Sequence, residues 1–186
     1  MMTVLVLEDQ VAFFIEGNKL YDKDRKLVYT VPKEYQYLNS CSDGIWIHQD
    51  DSKGFPHRHD YRLISSKGEV KIDLSLSKEY LSLEYHLGYL IAISDDMIEI
   101  FYLANVDFPL WFLEVNSIAT GYFQGELLVY NGNFQRYSLV SGELLSNASI
   151  DEDKIQVASI NDGSLHLLTK NNYLIYNSFG KLIEKY

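Results

Sequence analysis

Two histidines spaced two residues apart are the first groups in the chain whose types and spacing suggest chemistry. His57 and His59 bracket Arg58, with Asp60 following. Asp50 and Asp51 stand at the far end of the same polar stretch, Asp50-Asp-Ser-Lys-Gly-Phe-Pro-His-Arg-His-Asp60. Two imidazoles and a carboxylate are ligands that zinc accepts, with Cys41 and His48 as more distant donors. The stretch lacks the second ligand pair that would close a tetrahedral site. It therefore reads as a solvated polar loop with no metal and no cofactor, and its residues stand as partner-binding candidates because inserted loops carry function.

Carboxylates also recur in pairs at turns: Glu8-Asp9, Asp50-Asp51, Asp95-Asp96 and the run Asp151-Glu152-Asp153. Aspartate favours turns because its side chain bonds nearby backbone amides. If equivalent turns line one rim, the same residues would form an acidic collar facing a basic partner. Asp95 and Asp96 join the candidate contact residues on that ground. No phosphate-cradling glycine loop, nucleophile elbow or His-Glu-Xaa-Xaa-His motif is present, so no catalytic residue is assigned.

The elements that would position these groups are set by a repeat. Gly88 to Gly125 is 37 residues and Gly125 to Gly163 is 38, each glycine preceding an apolar run; Gly44 stands 44 residues before Gly88. A second glycine follows 17 residues later in two units, at Gly142 and Gly180, and Gly68 marks the same turn in the second. Five units follow, at about 3–32, 37–76, 80–115, 117–146 and 155–186, forming one repeat domain over 1–186. The first lacks both glycines. Each unit holds three or four short runs of Val, Ile, Tyr, Phe and Leu between turn-formers, and no capped stretch of helical period interrupts them.

The chain is therefore all-β. Strands with one face to water alternate, whereas strands covered on both faces read as continuous apolar runs. Val4 to Leu7, Val11 to Ile15, Tyr89 to Ile93 and Leu127 to Tyr130 are continuous. On these runs and this period the chain resembles the β-propellers, which implies five short antiparallel blades, with a double-sheet β-sandwich as the alternative. The Trp-Asp dipeptide of WD repeats is absent.

Charge narrows the partner. Sixteen basic against 26 acidic residues give a net charge of -10, which opposes nucleic-acid binding and favours a basic protein. One cysteine, no signal-peptide pattern and no long apolar run predict a cytoplasmic monomer that does not enter membranes. In size, acidity and lack of catalytic motifs the chain resembles bacterial immunity proteins, which implies a non-catalytic inhibitor that blocks a basic toxin such as a nuclease. A small-ligand or carbohydrate-binding propeller is the alternative, and a glycoside hydrolase comes after it.

Overall fold

The computed structural model describes the backbone of all residues except 1, 8–9, 42, 52–57, 116–117, 151 and 153, and side chains from residue 14 onward apart from 50 and 51. Among the described residues there are twenty strands and no helix. They form five four-stranded antiparallel sheets, each a simple meander in chain order. The first sheet contains β1 (Met2–Leu7), β2 (Gln10–Glu16), β3 (Lys19–Tyr21) and β4 (Leu27–Thr30). The second contains β5 (Gln36–Cys41), β6 (Gly44–Asp51), β7 (Arg58–Ile64) and β8 (Val70–Leu76). The third contains β9 (Ser82–His86), β10 (Tyr89–Ile93), β11 (Met97–Tyr102) and β12 (Trp111–Glu114). The fourth contains β13 (Ala119–Phe123), β14 (Glu126–Tyr130), β15 (Asn133–Ser138) and β16 (Leu144–Ser149). The fifth contains β17 (Ile155–Asn161), β18 (Ser164–Thr169), β19 (Tyr173–Tyr176) and β20 (Leu182–Lys185).

Five sequential four-stranded meanders are the blades of a five-bladed β-propeller. A sandwich would mix strands of different units into two larger sheets, and no sheet here does so. β1 pairs with β2, so the first strand completes its own sheet.

The glycine period has a local cause. Leu87-Gly88, Gln124-Gly125 and Asp162-Gly163 are two-residue turns between the first and second strands, with φ of 50 and 86, 51 and 80, and 46 and 76 degrees. Positive φ at both positions defines the hairpin turn whose twist matches the flanking strands. Gly44 is not its counterpart. It pairs with Cys41 and opens β6, one register position later, where a Cβ would lie 2.1 Å from the Ile64 carbonyl oxygen.

The turn between third and fourth strands also repeats. The amides of Ser65, Asn177 and Asp22 each donate to the carbonyl four positions on, and their carbonyls each accept from the amide three positions on, all at 2.9 Å. Their side-chain oxygens accept further N–H groups, from Lys67 and Glu69, from Phe179 and Lys181, and from Asp24 and Lys26. A bulge in the adjoining pair accompanies each. In the first sheet Arg25 holds the left-handed position at φ 60 degrees that glycine takes in the others, so a unit without glycine keeps the turn.

The chain divides into two compact units, residues 1–85 with 90–94 and 103–108, and residues 86–89 with 95–102 and 109–186. In the first unit Leu20 and Val31 pack on Ile45, Ile47 and Ile64 with Tyr35. In the second, Leu128, Tyr130 and Phe134 meet Leu165, Leu167, Leu174 and Tyr176. Leu90 to Ala92 and Leu127 to Tyr130 are buried at every position, as strands covered on both faces require. β18 alternates instead: Leu165, Leu167 and Thr169 are buried while Leu168 is exposed.

Candidate functional site

Every described residue of the polar stretch Asp50 to Asp60 is strand. Asp50 and Asp51 end β6, Arg58, His59 and Asp60 begin β7, and the pairs Asp51–Arg58, Asp50–His59 and Gln49–Asp60 extend the hairpin. This corrects the expectation of a loop from 50 to 60: backbone pairing continues where no apolar pattern marks it. Only 52–57 lie between the strands, and His57 is outside the described residues. Among the described residues no three His, Cys, Asp or Glu side chains gather around a point where a cation could sit.

On one face of β7 and β8 the charges are engaged with each other. Ser75 Oγ donates to Asp60, and Arg62 Nε donates to Asp73 at 2.9 Å. The Arg62 guanidinium also lies 4.5 Å over the Tyr35 ring. Arg58 is exposed, and His59 is half-buried opposite Leu76. On the opposite face His48 stacks on Tyr61 at 6.0 Å, and the Tyr61 hydroxyl accepts from the Tyr80 amide at 2.9 Å. His48 and Tyr61 are thus core packing.

A carboxyl the sequence did not single out lies in the same unit. Glu84 stands on β9, where burial pushes its pKa up to about 8. The Asn39 side chain acts there as an extra peptide group between β5 and β9. Its Nδ2 donates to the Leu83 carbonyl at 2.9 Å, its Oδ1 accepts from the Leu83 amide at 3.0 Å, and Nδ2 also reaches Glu84 Oε1 at 3.4 Å. Burial, reinforced by the Glu84 charge, raises the Cys41 thiol to about 11. A thiol in that state stays protonated at neutral pH and is a poor nucleophile. A carboxyl poised near 8 holds a proton at neutral pH, which allows it to donate a hydrogen bond.

In the second unit Asp95 and Asp96 are exposed at the turn into β11, where the Asp96 carbonyl accepts from the Val115 amide at 3.0 Å. Glu152, the middle member of the acidic run, points elsewhere: it accepts a 2.7 Å hydrogen bond from the buried Tyr176. The structure therefore spends Glu152 on the core. Glu8, Asp9, Asp151 and Asp153 lie outside the described residues.

Comparisons with known proteins support the fold and stop there. No protein-family model matches the sequence, and no curated protein does. Among solved structures, Kluyveromyces lactis Hsv2 is similar at 12% identity with a TM-score of 0.61, over 94% of this chain and 57% of that one. The Dos1 propeller gives 11% identity and a TM-score of 0.56, over 89% and 49%. BamB from Moraxella catarrhalis gives 10% identity and 0.55, over 100% and 64%. The chain thus spans less than two thirds of each of these structures, and what it shares with them is the propeller fold.

Proposed function

We propose that the chain is a non-catalytic protein-binding module whose partner is a basic protein. The observation that carries this reading is the charge of the second unit, eleven carboxylates against five basic side chains, with Asp95 and Asp96 exposed at a hairpin tip. Such a field speeds encounter with a cationic surface and sets its orientation. The extended β6–β7 hairpin, with Asp50, Asp51, Arg58, His59 and Asp60, supplies a second contact element. The rigid, hydrogen-bonded turns favour the same role, because a preorganised surface pays little entropy on docking.

The most specific form of the proposal is an inhibitor that occludes the basic active surface of a bacterial toxin in the cytoplasm, the chain being a monomer until it meets its partner. Co-expression of the tagged chain with the proteins encoded beside it, followed by capture at low and then high salt, tests it. A stoichiometric basic partner, released by salt more readily from an Asp95→Asn/Asp96→Asn variant, is the expected result. Capture of no basic protein, with a small molecule found bound by native mass spectrometry, would overturn it.

A further inference from the structure

One end of the second unit exposes large apolar side chains. Leu87 is 68% exposed, Val140 67% and Phe179 68%, and all three sit at turns between first and second or third and fourth strands. Tyr102 and Leu110 are exposed beside them.

Hydrogen bonds and packing tie these turns into one rim. Gly88 sits against the Tyr102 ring, the Leu110 amide donates to the Ile100 carbonyl at 2.7 Å, and Trp111 Nε1 donates to the Leu139 carbonyl at 2.8 Å. The Leu139 amide in turn reaches the Gly125 carbonyl at 3.1 Å. At the far end the Arg136 guanidinium lies 4.6 Å over the Phe179 ring. Arg136 is itself fixed by two 2.7 Å hydrogen bonds to the Glu126 carboxylate. Phe179 is therefore an exposed aromatic on a rigid base, the type of residue that anchors interfaces.

Leu87 carries the clearest signal. Its φ of 50 degrees is a left-handed conformation, which disfavours any side chain with a Cβ. The equivalent turns hold the polar Gln124 and Asp162. A leucine there is both strained and exposed, and strain of this kind collects at functional positions.

We propose that this rim, from Leu87 through Tyr102, Leu110 and Val140 to Phe179, seats an apolar segment of a cationic protein. The charge of the unit selects the occupant: its eleven carboxylates against five basic groups, with Glu143 and Asp162 exposed at the same turns, repel anionic lipid headgroups and attract lysine and arginine. The inference rests on the basic-partner reading and moves the anchor to the end of the strands opposite Asp95 and Asp96, which precede β11 while Tyr102 ends it.

The test uses the full chain and a fluorescein-labelled synthetic peptide of leucine and lysine, followed by anisotropy. Control peptides carry serine for leucine or glutamate for lysine, and phosphatidylcholine–phosphatidylglycerol vesicles form a separate arm. The leucine–lysine peptide is expected to bind, and Val140→Ser/Phe179→Ser to weaken it by about tenfold or more. Leu87→Asn is expected to weaken binding while raising the thermal midpoint, opposite signs that separate docking from folding. Absence of binding by the parent chain, unchanged affinity in these variants, or capture on the vesicles would overturn the rim. Binding weakened by Asp95→Asn/Asp96→Asn alone would remove the rim and leave the basic partner standing. Equal affinity for the glutamate peptide would remove both.

Discussion

Gly142 packs face-on against Trp111: a Cβ built on the glycine would lie 2.8 Å from the indole Cδ2. The same relationship joins Gly68 to Val28 and Gly180 to Ala148. In each case the turn before a fourth strand abuts the fourth strand of the preceding sheet. The second glycine of the repeat is thus required twice, by a left-handed backbone and by the approach of a neighbouring sheet.

Gly142→Ala should therefore cost more than Gly125→Ala. Gly125 has a φ of 80 degrees but nothing within 4 Å of a built Cβ, so alanine there meets only backbone strain, about 1 kcal/mol. At Gly142, with φ of 72 degrees, overpacking against Trp111 adds to that strain for about 2–4 kcal/mol in all. Urea denaturation of the two variants checks this, and equal losses would mean that Trp111 moves aside freely.

Glu84 predicts a pH dependence. Its pKa is raised in the folded chain to about 8, against 4.5 for the ordinary group. Between those values the unfolded chain has lost a proton that the folded chain retains, so stability falls as pH rises through this window. Glu84→Gln removes the titration. The variant should lack the loss of on the order of 3 kcal/mol that the parent shows between these limits, a figure reduced from the full shift because the residue is half-buried. Thermal midpoints across the range read it, and parallel curves for parent and variant would refute it.

Asn39 should be intolerant of even an isosteric change. Asn39→Asp keeps the acceptor for the Leu83 amide but loses the donor to the Leu83 carbonyl, and brings a second carboxyl close to Glu84. An unpaired Leu83 carbonyl and a partly buried new carboxylate that loses solvation predict about 2–3 kcal/mol of destabilisation at neutral pH, where Glu84 is still protonated. The deficit should shrink in acid, where both carboxyls are protonated, and a pH-independent deficit would contradict the proposed contact.

What was legible in the chain follows the reach of the cause. The turns at Gly88, Gly125 and Gly163 are dictated by local backbone geometry, so their spacing revealed the blades. Buried second strands were visible as the continuous runs Tyr89 to Ile93 and Leu127 to Tyr130. Gly44 misled by one position because a glycine forced by the Ile64 carbonyl looks, in sequence, like a turn glycine. Arg25 hid the first-sheet turn, whose hydrogen bonds come from Asp22 and not from the residue in the left-handed position. The Asp50–Asp60 hairpin read as a loop because strand pairing there comes from the backbone, while its side chains follow no apolar alternation. Glu84 gave no signal because its partner Asn39 is 45 residues away. The apolar rim was equally hidden: Val140 and Phe179 differ from core residues only in their exposure.

Leu87 offers a stability test that runs against intuition. Replacing an apolar residue in an apolar-rich hairpin ordinarily destabilises, but Leu87 is 68% exposed and sits at a φ of 50 degrees, so its removal forfeits little burial. Asparagine tolerates the left-handed region better, and Asn-Gly is the preferred pair for a two-residue turn of this type. Leu87→Asn should therefore stabilise the chain by about 0.5–1 kcal/mol, read from the midpoint of urea denaturation. Leu87→Ala is the informative control. It removes the same apolar surface but keeps the Cβ strain, and should leave stability within about 0.5 kcal/mol of the parent. A gain with asparagine and none with alanine would assign the cost to backbone strain. Losses in both variants would show that the leucine contributes to folding after all, and the strain argument for a functional rim would lose its footing.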